Sequence, residues 1–171
     1  MKDIKKLTTL SMLLAGAIVL NVIEMSINVI PVPGAKIGFA NLVTVIILYM
    51  YGFKEASLVT ILRVLLIGLL YRSFTVTFWM GLGGAVLSII TMGVLKNFLK
   101  VHMVTVSVLG AITHTIGQVL VGIYLLETEL LILYLPLMLL ISIPAGILIG
   151  IISTRFFKIF NPKNKQNTRF S

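Results

Sequence analysis

A chain of 171 residues that is 58% hydrophobic and 11% charged, with a mean hydropathy of +1.11, carries more apolar surface than a soluble fold of this size can hide. Its length accommodates about six membrane spans of roughly 20 residues each, which leaves no room for a soluble catalytic domain. It has no cysteine, so disulfides, thiolate metal sites and cysteine nucleophiles are excluded.

The first helix is expected over 7–30. Its basic start resembles that of a signal peptide, but the apolar run is too long, and Asn21, Glu24 and Asn28 stand where a small-residue cleavage site belongs. It reads as a retained span. Those three polar residues, spaced i, i+3 and i+7, share one helical face that should meet protein or water rather than lipid. Two roles fit this face: a wall of a ligand pocket, or interhelical glue with Glu24 neutralised or paired to Arg63.

The segment PVPGAKIG over 31–38 has two prolines and two glycines and reads as an external loop. The second helix, over 39–51, is short for a span, so it either tilts little or is extended by loop residues that line a cavity. Asn41 and Thr44 open it. A helix N-terminus facing outward beside Lys36 and Arg72 is suited to an anion or polar head; interfacial snorkelling of both cations is the alternative.

A turn, GFKE over 52–55, precedes a third helix over 56–71, in the middle of which lies Arg63. A guanidinium at that depth costs several kcal/mol unless it is paired or hydrated inside protein. The fourth helix, over 74–95, carries Gly81, Gly83 and Gly84, which permit close approach of a neighbour or ligand. The fifth, over 103–126, sets His114 and Gln118 at i, i+4. Here His114 is a ligand contact, a proton relay or a satisfied interhelical hydrogen bonder. No second histidine forms a metal pattern with it, because His102 falls at the helix edge. The external turn Glu127-Thr128-Glu129 leads into a sixth helix over 130–154, containing Pro136 and Pro144.

The net charge of +9 is one-sided once these helices are laid across a membrane. Lys2, Lys5, Lys6, Lys54, Lys96, Lys100, Arg155, Lys158, Lys163, Lys165 and Arg169 fall on one side; only Lys36 and Arg72 fall on the other. The positive-inside rule then puts both termini in the cytoplasm of a multi-pass cell-membrane protein. Residues 1–160 form one six-helix transmembrane domain, and 161–171 a basic cytoplasmic tail that lies near anionic lipid rather than nucleic acid.

The strings PGAKIGFAN (33–41), GFKEA (52–56) with Arg63 following, GLGG (81–84) and HTIGQ (114–118) together resemble the membrane family called Gx transporters, also named heptaprenyl diphosphate synthase component I. Thr115 stands where that pattern has Asn. The family in turn is similar to the substrate-binding (S) components of energy-coupling factor transporters. This resemblance implies an all-α bundle of six transmembrane helices with cytoplasmic termini and an outward-open ligand pocket. It also implies a membrane coupling (T) subunit driven by two ATPases. Small residues on the first helix make that contact in S components, and Ser11-xxx-Ala15 is the nearest equivalent here.

Chemistry separates the functions these names carry. Prenyl transfer holds a diphosphate through Mg²⁺ on clustered carboxylates. This chain has five carboxylates, Asp3, Glu24, Glu55, Glu127 and Glu129, and no aspartate-rich motif. It is therefore not expected to be an enzyme, nor to use a metal or cofactor, though an accessory synthase subunit remains open. It has no G-x-x-x-x-G-K-[ST] loop, so energy for transport comes from a partner or an ion gradient. A stand-alone secondary transporter is the weaker alternative, because no inverted repeat is visible. The candidate substrate-binding residues are Asn21, Glu24, Asn28, Lys36, Asn41, Arg63, Arg72, His114 and Gln118. The substrate classes are vitamin-like molecules, flavin first, or isoprenoid and quinone precursors. A flavin would stack on Phe39, Tyr71, Phe74, Phe78 or Trp79, whereas a diphosphate would recruit Lys36 and Arg72.

Overall fold

A computed structural model describes residues 2–26, 38–72 and 74–160. Six α-helices follow one another: α1 Lys2–Ser26, α2 Ala40–Met50, α3 Phe53–Ile67, α4 Val76–Val94, α5 Met103–Leu126 and α6 Leu135–Phe160. A π turn, Gly68–Arg72, closes α3 and another, Leu95–Leu99, closes α4; a 3₁₀ segment, Glu129–Tyr134, leads into α6. Asn28, Lys36 and the tail 161–171 lie outside the described residues.

Among the described residues four stretches are long and apolar enough to cross a membrane: Asp3–Ser26, Val76–Leu99, Met103–Leu126 and Glu129–Phe160. The chain is thus an all-helical, multi-pass membrane protein. With 11 residues, α2 is only about 17 Å long. It sits in the middle of the bundle, with every residue from Val43 to Leu48 buried. That position explains a sequence that is apolar on all sides.

Some boundaries differ from those expected. Helix α3 begins at Phe53, not Ala56, because nothing in Phe53, Lys54 or Glu55 opposes helix; the turn shrinks to Tyr51 and Gly52. Gly52 takes φ of 108°, which L side chains rarely adopt. At the other end, Arg72 belongs to the π turn rather than following the helix. Helix α1 runs back to Lys2, with Asp3 in its first turn complementing the helix dipole. Pro136 occupies the first turn of α6, where its missing N–H costs nothing.

The tightest packing joins α4 to α5 and α5 to α6. A side chain at Gly117 would sit 2.8 Å from the Gly83 carbonyl oxygen, so the two backbones touch there. On the far side of α5, a Cβ at Gly150 would meet the Val104 Cα at 2.7 Å. Such close crossings admit hydrogen bonds to backbone: Ser88 Oγ donates to the Gly110 carbonyl and Ser107 Oγ to that of Gly146, both at 2.8 Å. In a membrane, where burial of apolar surface drives helices together only weakly, such contacts hold the bundle.

The two ends of the bundle differ in charge. Lys6 and Glu55 pair at 2.5 Å, tying α1 to the start of α3. Lys96 Nζ donates to the Leu48 carbonyl near the end of α2 and lies 5.3 Å from the centre of the Tyr49 ring. Tyr49 in turn donates to the Val101 carbonyl at 3.2 Å and packs edge-on against Phe157. These contacts gather the start of α1, α3 and α5 and the finish of α2, α4 and α6 at one basic end. Helix α5 is capped there by His102, whose Nδ1 accepts from the Val104 N–H at 3.3 Å, so this histidine is occupied in helix capping.

Candidate binding chamber

Away from the basic end, five helices meet around a small polar chamber. Helix α1 contributes Asn21 and Glu24, one turn apart on the face that looks inward. Gly38 and Asn41 come from the entry to α2, Arg63, Val64 and Ile67 from α3, Phe78 and Gly81 from α4, and His114 from α5. The expectation that loop residues extend the short second helix along a cavity is met at Gly38.

Local structure aims each group. The Thr44 and Thr60 hydroxyls hydrogen-bond at 3.0 Å across α2 and α3, and Arg63 follows Thr60 by one turn on the same face. The ring of Phe78 packs against Gly68, where a Cβ would fall 2.4 Å from its edge; this contact holds the ring, 2% exposed, in the chamber wall. His114 packs over Gly84. The Gly38 N–H donates to Glu24 Oε1, binding α1 to the approach of α2.

The chamber is electrostatically two-sided. Arg63 is 3% exposed and Glu24 and Asn21 are each 8% exposed. Glu24 and Arg63 line the same chamber, so the buried cation has a carboxylate in its surroundings. Arg63 Nε and Nη1 and the Asn21 side-chain oxygen are buried without a hydrogen-bond partner among the described residues. Buried polar atoms in that state are rare and costly. The chamber that these residues line is about 30 Å³, against roughly 10–15 Å³ for a single water. It therefore has room for about two waters.

Five of the nine candidate residues, Asn21, Glu24, Asn41, Arg63 and His114, thus converge. Gln118 does not join them; it is buried one turn further along α5, against Gly84. Thr115 is also buried, its hydroxyl bonded back to the Ala111 carbonyl at 3.1 Å. Of the five aromatic candidates, only Phe78 lines the chamber. Tyr71, Phe74 and Trp79 are exposed, and Trp79 borders a separate apolar groove of about 470 Å³ between α4 and α5. Val64 and Ile67 were not among the candidates, although their spacing from Arg63 marks them as neighbours on α3. Among the described residues no three of His, Asp and Glu come together as a metal site.

Fold and site together define a multi-pass helical membrane protein that encloses a charged, incompletely bonded chamber. The chain belongs to the heptaprenyl diphosphate synthase component I family, whose model matches residues 13–156. No curated protein and no solved structure matches it.

Proposed function

We propose that this chain is the substrate-binding membrane subunit of a transporter of the energy-coupling factor type, with six spans and both termini cytoplasmic. The observation that carries this reading is the buried guanidinium of Arg63, which belongs to the chamber lining and has two nitrogens without a hydrogen-bond partner among the described residues. Residues that serve packing alone would have their hydrogen bonds satisfied internally; an incomplete set in an enclosed space suits a ligand that completes it.

Other features support the same reading. The basic end gathers Lys6, Lys54, Lys96, Lys100, Arg155 and Lys158, as the cytoplasmic face of a membrane protein does. Ser11 and Ala15 are exposed on α1, and nothing approaches within 4 Å of a Cβ built at Gly16, which leaves a low surface for a coupling subunit. Two ATPases would supply the energy, since the chain has no phosphate-binding loop of its own. The substrate is vitamin-like, with flavin first, or an isoprenoid or quinone precursor. The chain itself performs no catalysis.

The family's name favours a second reading, a non-catalytic membrane subunit that accompanies a heptaprenyl diphosphate synthase. One experiment separates the two. The tagged chain, expressed in its own host and gently extracted, is weighed with its companions by native mass spectrometry. A membrane coupling subunit with two ATPases supports the transporter reading, whereas a soluble prenyltransferase in their place overturns it.

A further inference from the structure

The basic end of the bundle is uneven, and one corner of it carries cations alone. Helices α1 and α3 bring carboxylates there with their lysines, Asp3 and Glu55, and Glu55 is tied to Lys6. The described residues of α4, α5 and α6 at this end, with the turn that closes α4, carry Lys96, Lys100, Arg155 and Lys158 and no carboxylate. The other three acidic side chains stand elsewhere, Glu24 at the chamber and Glu127 and Glu129 at the turn between α5 and α6. Residues 161–171 add Lys163, Lys165 and Arg169 and no acidic side chain, so they do not offset this charge.

Tyr49, at the finish of α2, ties the corner together. Its hydroxyl donates to the Val101 carbonyl at 3.2 Å, its ring meets that of Phe157 edge-on at 6.4 Å, and Lys96 Nζ stands 5.3 Å from the ring centre. Lys100 adjoins Val101 in the chain and Lys158 adjoins Phe157, so both lie within one residue of groups that touch this ring. The Lys96 ammonium has three donors, of which the Leu48 carbonyl takes one. Large apolar side chains stand bare beside these cations: Phe98 is 80% exposed and Ile159 73%. At a bilayer edge such side chains enter the acyl layer while neighbouring lysines snorkel to the phosphates; in water they would stand uncovered. We propose that Lys96, Lys100 and Lys158 around Tyr49 seat the phosphate head group of an anionic membrane lipid, with Phe98 and Ile159 entering the acyl layer beside it. This site is separate from the chamber and does not depend on what the chamber holds.

The test places the full chain in nanodiscs of equimolar phosphatidylglycerol and phosphatidylcholine with identical acyl chains. The protein is then released into native mass spectrometry and the lipids it retains are counted. The wild type is expected to keep phosphatidylglycerol in preference. Lys100→Asn combined with Lys158→Gln should cut the ratio about fivefold per lysine, the worth of one basic residue at an anionic surface. Asn is used at position 100 because it tolerates the left-handed backbone there, with φ of 49°. Lys96 is left in place because it holds the turn after α4 to α2. Lys100→Arg with Lys158→Arg keeps the charge and should keep the ratio. A separate variant, Lys163→Gln, Lys165→Gln and Arg169→Gln together, removes more charge outside the corner and should retain most of the preference. Equal retention of the two lipids by the wild type overturns the inference and leaves the corner to an acidic protein surface. An unchanged ratio in the neutral lysine pair overturns it too, as does a loss in the arginine pair as large as in the neutral one. A fall confined to the tail variant overturns it by moving the contact to residues 161–171.

Discussion

Glu24 accepts the Gly38 N–H and lines the same chamber as Arg63, so one carboxylate on α1 fixes the approach to α2 and stands in the surroundings of a buried cation on α3. Helix α1 is otherwise the least embedded of the four long apolar helices, with 17% of its apolar window buried. Its hold on the bundle rests on Ala17 and on Leu10, Leu13, Leu14 and Leu20, which pack on the core, and on the contact of Glu24 with Gly38.

Removing that carboxylate should be costly. Glu24→Ala removes the acceptor of the Gly38 N–H and should cost about 1–3 kcal/mol. Glu24→Gln retains an oxygen to accept from Gly38 and should lose less. Thermal unfolding of the purified variants in detergent ranks them; equal midpoints for Glu24→Ala and wild type would show that Glu24 does not stabilise the chamber.

The Lys6–Glu55 pair lies at the surface, with side chains 42% and 22% exposed, so a double-mutant cycle should give no more than about 1 kcal/mol. The hydrogen bond from Lys6 holds the Glu55 carboxyl below its ordinary value of 4.5. A depressed carboxylate favours the folded state above its unfolded pKa, and that contribution fades as pH falls through the folded value. Stability of the wild type should thus decline on acidification below about pH 4.5 more steeply than that of Glu55→Gln. Unfolding curves recorded from pH 6 to 3 measure the difference in slope.

Two glycine substitutions should behave oppositely. Gly117→Ala drives a methyl to 2.8 Å from the Gly83 carbonyl and should cost roughly 1–3 kcal/mol as α4 and α5 are pushed apart. Gly16→Ala meets nothing and should stabilise the exposed helix by about 0.5–1 kcal/mol. Melting temperatures of the two variants, compared under one detergent condition, check both signs.

Ala15→Leu adds bulk to an exposed position and should leave the fold untouched. If α1 is the coupling surface, the same change should strip the coupling subunit and its ATPases from the purified protein. Gel filtration of the variant monitors the fold, and quantitative mass spectrometry of the companions monitors the partnership. Undiminished recovery of those companions would move the interface elsewhere on the bundle.

Much of this molecule follows from local chemistry that a sequence states directly. Hydropathy alone requires a membrane, because the apolar surface exceeds what a soluble fold can bury. Helix α5 spans Met103–Leu126, the bounds its apolar run indicates. Asn21 and Glu24 share a face because their spacing is one helical turn, and Arg63 is marked as unusual by its depth in an apolar run. Only tertiary structure decides which polar groups meet. Thr44 bonding Thr60, the seating of Phe78 on Gly68, and the backbone contact at Gly117 set helix crossings and relative depths that no single helix encodes. Those crossings bring Asn21, Glu24, Asn41, Arg63 and His114 to one chamber and turn Gln118 toward α4. They also enclose α2 on all sides and leave α1 nearly bare. A side chain's partner across a bundle depends on how far and at what angle two helices slide together, and close-packed glycine and serine contacts determine that only once the whole bundle is assembled.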